Sequence, residues 1–154
     1  MSIFLFTHDD LRKKKLLLLA SIIFTNFKEL ADYQQLKHSM EDIMKLLQSE
    51  NAIVCLYIIN KKTAGYMVGE IMKLNDGREV FYVSYIFTSP KFRNNGIASK
   101  LMNTVDELTN KYKLDGIMLT CNSEDKHIYD FYLKKGFMPD MLLRTYAKYE
   151  VMYK

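Results

Sequence analysis

Between Thr88 and Leu101 the chain reads Thr-Ser-Pro-Lys-Phe-Arg-Asn-Asn-Gly-Ile-Ala-Ser-Lys-Leu, an extended run that enters a tight Asn/Gly loop and leaves it as a helical pattern. Such a turn binds anions, because unpaired N–H groups of the loop and of the first helical turn converge at the positive end of the helix dipole. Gly96 and Ala98 present no side chain that would hold a pyrophosphate off the backbone, Asn94 and Asn95 tolerate left-handed conformations, and Arg93 adds a charge-assisted bond. Taken alone, the same residues serve equally well as a plain turn and helix start, since short glycine motifs recur by chance. Cys55 and Cys121 each lie within an apolar run, which suits buried thiols better than a disulfide framework or a metal cluster. Cys121 has no histidine or basic partner in sequence reach to make it a thiolate nucleophile. His8, His38 and His127 are scattered without ligand spacing, so no metal is expected.

The elements that position this loop follow from hydrophobic periodicity. After a short strand at residues 3–6, the first fifty residues are helical: Asp9 or Asp10 caps a helix through Phe24, and Leu36, Met40, Ile43, Met44 and Leu47 recur at helical period. From Ala52 the pattern becomes extended, with strands at 52–59, 65–74 and 79–88 and turns at Asn60-Lys61-Lys62 and Asn75-Asp76-Gly77. These three runs predict an antiparallel meander, with Val80, Tyr82 and Ser84 on one face of its third strand and Phe81, Val83 and Tyr85 on the other. Ile97, Leu101, Val105, Leu108 and Tyr112 then form the stripe of a helix that ends at Lys113-Leu114-Asp115-Gly116. A strand at 117–121, a helix at 124–135 stopped by Gly136, and strands at 137–138 and 147–153 complete the order. The fold class expected is a mixed α/β (α+β) sandwich, a single domain over residues 1–154 with helices on both faces of one central sheet.

Placed in that order, Arg93-x-x-Gly96-x-Ala98 resembles the acyl-CoA signature of the GNAT superfamily of N-acetyltransferases, (Gln/Arg)-x-x-Gly-x-(Gly/Ala). Thr88-Ser89-Pro90-Lys91-Phe92 is similar to that family's Val-x-Pro-x-(Tyr/Phe) lead-in, and Phe131-Tyr132-Leu133-Lys134-Lys135-Gly136-Phe137 to its Leu-Tyr-x-x-x-Gly-Phe, one strand later. The resemblance is specific over residues 80–140; the first fifty residues match only in being helical. It implies a mostly antiparallel, twisted central sheet of six to seven strands. It also implies that Ile86, Phe87 and Thr88 offer backbone groups to the pantetheine of acetyl-CoA, and that Arg93, Asn94, Asn95, Gly96, Ile97, Ala98 and Ser99 hold its pyrophosphate. Tyr132 is implied as the general acid that protonates the departing thiolate, which suits a phenol of pKa about 10. A tyrosine on an apolar helical face is otherwise a packing residue, and Tyr129, the nearest competitor, is out of register with the motif.

The departures bear on mechanism. Many relatives carry Asn seven positions before the tyrosine and Ala three positions after that Asn; here Asp125 and Ile128 stand there. Asp125 can accept a bond from the pantetheine arm but donates none from an amide. Where relatives place a carboxylate or His as base, this chain has Tyr82, Ser84 and Thr120, none a good base at neutral pH. Glu70, Glu79, Glu124 or a water chain is left for that role, or the amine arrives neutral. His127 reads as a surface helix residue.

The function implied is an acetyl-CoA-dependent N-acetyltransferase acting on a primary amine (small molecule, polyamine, or protein N-terminus or lysine) through a ternary complex. A noncatalytic acyl-CoA-binding module of the same fold is the alternative. Tyr33, His38, Tyr66, Arg144, Tyr146 and Tyr149 are candidates to line the acceptor pocket. Composition agrees with a soluble domain: 154 residues, 49% hydrophobic and 26% charged. A net charge of +4 suits an anionic small ligand and falls short of a nucleic-acid-binding face. Arg12-Lys13-Lys14-Lys15 and the apolar run after it copy a signal peptide superficially. That run is too short to span a bilayer, Asp9 and Asp10 precede it, and no small-residue cleavage site follows, so a buried helix is expected, with no membrane partner. The expected location is the reducing cytoplasm, and a homodimer is left open.

Overall fold

The computed structural model describes residues 2–7, 20, 22, 40–140 and 149–154. His8, the helix expected through Phe24 apart from Ala20 and Ile22, Arg12–Lys15, Leu36, and the candidate pocket residues Tyr33, His38, Arg144 and Tyr146 lie outside the described residues, as does the side chain of Tyr149. The elements in chain order are β1 (Ser2–Phe6), α1 (Met40–Gln48), β2 (Ala52–Ile59), β3 (Lys62–Lys73), β4 (Glu79–Thr88), a single 3-10 turn (Pro90–Phe92), α2 (Ile97–Lys111), β5 (Gly116–Asn122), α3 (Lys126–Lys134), β6 (Met138–Pro139) and β7 (Tyr149–Tyr153). Among the described residues the strands form one seven-stranded sheet in the order β1-β2-β3-β4-β5-β7-β6, which is the mixed α/β class expected. The β4–β5 pairing is parallel, while β1–β2, β2–β3, β5–β7 and β6–β7 are antiparallel.

The chain folds as two compact units, 1–70 with 85–104 and 71–84 with 105–154. In the first, the β2–β3 hairpin starts sooner than its composition suggests. Asn60 and Lys61 both take left-handed φ (49° and 62°), the conformation of a two-residue primed turn, so β3 begins at Lys62 and Ile59 pairs with it. Alternation then sorts the side chains. Ala52, Val54, Leu56, Tyr66 and Val68 face one side and pack with Ile43 and Leu47, the inner face of α1. Tyr57 and Gly65, a pair one step out of phase, face the other, where Gly65 lies against Ile97 and Leu101 of α2. Helices therefore cover both faces of these strands.

The second unit is built on the β5–β7 ladder, with Cys121 paired to Glu150 and Met118 to Tyr153. Val80, Met118 and Val151 form a small core, flanked by Met72, Leu74, Tyr82 and Tyr153. An ion pair closes one side of the unit. Arg78 donates from both terminal nitrogens to Asp140 (2.9 and 3.1 Å) and also engages Asp76 (2.8 Å), while its guanidinium lies 4.5 Å from the centre of the Tyr153 ring. The left-handed residue that ends α2 is Lys113 (φ 55°), and the N–H of Leu114 reaches back to the Thr109 carbonyl at 3.0 Å. Gly116 has a different reason to be glycine: an added Cβ would run into the Lys154 carbonyl and, at 2.6 Å, the Tyr153 ring.

Candidate active site

In the first unit, the β4–α2 loop is braced from within. The Ser89 N–H donates to the Ala64 carbonyl (2.8 Å), which fixes the end of β4 against β3. Arg93 turns its Nε back onto the Thr88 carbonyl (3.3 Å), and the Asn95 amide donates to the carbonyls of Phe92 and Arg93, both at 3.2 Å. Of the two asparagines expected to tolerate left-handed backbone, only Asn94 adopts it (φ 65°); Gly96 is the second left-handed residue (φ 74°). The Lys100 N–H donates to the Gly96 carbonyl (3.0 Å) and opens the α-helical ladder. That ladder gives the N–H groups of Ile97, Ala98 and Ser99 no partner one turn earlier, and they share the helix's positive end. A Cβ built on Gly96 meets nothing within 4 Å, so the loop's outer side is open.

Packing holds the start of α2 in place. Gly65 lets the Phe87 carbonyl and Ile97 approach to 2.7 and 2.9 Å of where its Cβ would stand. Phe87 is buried and stacks on Tyr66, with ring centres 5.4 Å apart. Tyr66 is 1% exposed, which makes it core and removes it from the wall of an acceptor pocket. Lys100 donates to the Tyr57 hydroxyl at 3.2 Å, a second anchor between α2 and β2. Ile86 and Thr88 are half-buried on β4, beyond the last pair of the β4–β5 ladder, Val83 with Leu119.

In the second unit, the Tyr-x-x-x-Gly-Phe pattern has a structural cause. Gly136 (φ 95°) ends α3, the Phe137 N–H bonds to the Tyr132 carbonyl (3.0 Å), and the Gly136 N–H bonds to the Leu133 carbonyl (3.0 Å). This Schellman closure swings Phe137 under Tyr132, ring centres 5.5 Å apart and nearly perpendicular. Tyr132 is 6% exposed. Burial, with a smaller contribution from the Cys121 thiol, raises its phenol well above the ordinary tyrosine value, so the proton stays on at neutral pH. Asp125 caps α3: its Oδ1 accepts from the Ile128 N–H at 3.3 Å. The helix therefore begins at Lys126, two residues later than its periodicity suggests.

The base positions carry what the sequence says, and two of them, Tyr82 and Thr120, are engaged with each other. The Tyr82 hydroxyl and Thr120 Oγ1 share a hydrogen bond of 2.9 Å, and Glu70 accepts from Ser49 at 2.9 Å. Glu79, Glu124 and His127 are exposed. Sequence reasoning missed two residues here. Gly65 is one, since its value lies in what it lets approach. Glu150 is the other: β-strand register sets it beside Cys121, and no local pattern announces that.

An acetyltransferase (GNAT) domain family model matches residues 7–146. No curated protein matches the sequence. Solved structures share the fold at low identity. An aminoglycoside acetyltransferase from an uncultured soil metagenomic sample is 17% identical over 95% of this chain and 97% of its own, with a TM-score of 0.67. The NatC complex bound to Gag peptide and CoA contains a chain 20% identical, covering 99% of this chain and 96% of that one, at a TM-score of 0.71. Arabidopsis thaliana Naa50, solved with the bisubstrate analogue CoA-Ac-MVNAL, is 19% identical over 100% of this chain and 99% of its own, at a TM-score of 0.68.

Proposed function

The chain belongs to the GNAT acetyltransferase family, and on that premise we propose that it transfers an acetyl group from acetyl-CoA directly onto a primary amine. The observation that carries the reading is the β4–α2 loop. Its residues fit a diphosphate: two left-handed positions at Asn94 and Gly96, an open side at Gly96, and the N–H groups of Ile97, Ala98 and Ser99 at a helix start. Arg93 and Asn95 brace this loop, and the remaining guanidinium nitrogens of Arg93 add charge. Ile86, Phe87 and Thr88 offer backbone groups to the pantetheine amides, and Asp125 keeps its second oxygen for the same arm while Oδ1 caps α3. Acetyl-CoA supplies the activated thioester, and Tyr132 protonates the sulfur as it leaves.

Transfer needs no covalent enzyme intermediate. Cys121 is buried and its thiol is pushed up to about 11, chiefly by burial, which keeps it a poor nucleophile. Cys55 is likewise raised to about 11 by burial, and two such thiols suit a reducing cytoplasm. The acceptor is a small-molecule or peptide amine. The relatives solved with a peptide–CoA analogue and the aminoglycoside enzyme motivate that range. The test is thiol release from acetyl-CoA with three acceptors: the peptide Met-Val-Asn-Ala-Leu, spermidine and sisomicin. Turnover with at least one is expected. Tight acetyl-CoA binding with no turnover on any of them makes the chain a noncatalytic acyl-CoA-binding module instead.

A further inference from the structure

Glu150 stands on β7 directly across from Cys121 of β5, so the two side chains leave the sheet on one face. The Tyr129 hydroxyl, on α3, donates to the Glu150 carboxylate. Tyr132 follows three residues later on the same helix, one turn along the same face, and the Cys121 thiol lies close enough to act on its phenol. Glu150 therefore lies one neighbour away from the proposed acid, with Cys121 between them. Its Oε2 atom is buried and, among the described residues, has no hydrogen-bond partner. Leaving a buried acceptor unsatisfied is costly, the more so when it is charged. Such an atom in a folded protein calls for a use.

Acetyl transfer needs a proton acceptor in this neighbourhood. An amine that arrives as an ammonium must lose a proton before its lone pair can attack, and the group that takes it must stand near the carbon whose sulfur the acid serves. Tyr82, Ser84 and Thr120 supply no such group, whereas Glu150, across Cys121 from the acid, has a carboxylate oxygen with no partner among the described residues.

We infer that Glu150 is the proton acceptor of the reaction, acting through a single water held on Oε2; the inference rests on the acetyltransferase reading above. Oε2 takes one proton from the acceptor's –NH3+ by way of that water. The freed nitrogen forms a bond to the thioester carbonyl carbon, the carbon–sulfur bond breaks, and the sulfur takes the Tyr132 proton. The nitrogen then sheds its second proton, which returns through solvent to the Tyr132 oxygen, and Glu150 passes the first to bulk water. Each amide formed from an ammonium releases one thiol and one proton.

Glu150→Gln keeps the size of the side chain and an oxygen for Tyr129. It is expected to lower kcat/KM at pH 7 by about 10²-fold, within the usual range for a general base. The dissociation constant for acetyl-CoA should stay within about twofold of the wild type, and the acid limb of the pH–rate profile should move up to the acceptor amine's own ionisation, because only amine that arrives neutral can then attack. The acceptor is whichever of the Met-Val-Asn-Ala-Leu peptide, spermidine and sisomicin the wild type turns over fastest. Should Glu150→Gln not fold, Glu150→Ala, which gives up both carboxylate oxygens, decides by the same two readouts, with Cys121, Asp125, Tyr129 and Tyr132 the other titratable groups facing the site. An unchanged acid limb in the variant that folds overturns the inference. Acetyl-CoA binding weakened tenfold at wild-type kcat does too, and makes Oε2 a partner of a donor amide instead. A wild type that releases no thiol with any of the three amines overturns the acetyltransferase reading itself, and this inference with it.

Discussion

Gly96 and Gly77 make a controlled pair at the residue scale. Both sit at left-handed φ (74° and 95°), and a Cβ at either meets nothing within 4 Å, so a β-branched side chain brings backbone strain without a clash. Only Gly96 lies on the loop proposed to hold the diphosphate. Gly96→Val is expected to weaken CoA binding by about 1–3 kcal/mol in isothermal titration calorimetry. Gly77→Val should lower the melting temperature and leave CoA affinity alone; equal affinity in both variants would remove the diphosphate from this loop. The places of Arg93, Gly96, Ala98 and Tyr132 on their elements were legible in the sequence because the constraint on each is local: a turn, a helix start, a helix end. Tyr66 was not, since the Phe87 ring that makes it core comes from another strand. Glu150 was hidden for the same kind of reason, as its neighbour Cys121 is set by strand register alone.

At the scale of elements, Gly65 decides where α2 begins. A valine there would meet the Phe87 carbonyl at 2.7 Å, and backbone cannot yield as a side-chain end can. Gly65→Val is therefore expected to destabilise the fold by about 1–3 kcal/mol in urea unfolding and to weaken CoA binding as well, because α2 moves with Ile97. Stability lost with CoA affinity intact would mean that the start of α2 does not depend on this contact. Strands β2 and β4 and the body of α2 could be read from the chain almost residue by residue, because their hydrophobic periods are long and uninterrupted. The ends could not. Lys61 at φ 62° starts β3 early, Asp125 caps α3 late, and Lys113 takes the left-handed position at the end of α2 that composition assigns to glycine. In each case a polar or charged residue adopts a conformation or a bond that periodicity does not encode.

At the scale of the whole molecule, two separated motifs in register identified the family, whereas the interactions that close each unit connect residues far apart in sequence. The Arg78–Asp140 pair is one of these: the Asp140 side chain is 5% exposed, and Asp76 is the carboxylate left to Arg78, beside the Tyr153 ring, if that one is lost. Asp140→Asn should cost about 1–3 kcal/mol in urea unfolding, since it leaves a largely buried guanidinium half-compensated. No change in stability would reduce the pair to a surface contact. The catalytic assignment is tested by separating binding from turnover. Burial lifts the Tyr132 phenol, and in the proposed mechanism the protonated form is the active one, so the loss of activity that belongs to Tyr132 should come above the ordinary tyrosine pKa of about 10. The most direct measurement is kcat for thiol release by Tyr132→Phe, with the acetyl-CoA dissociation constant determined on the same protein. A fall in kcat of about 10² to 10⁴ with the dissociation constant within about twofold of the wild type is expected. Wild-type kcat in Tyr132→Phe would contradict it and leave the thiolate to be protonated by solvent.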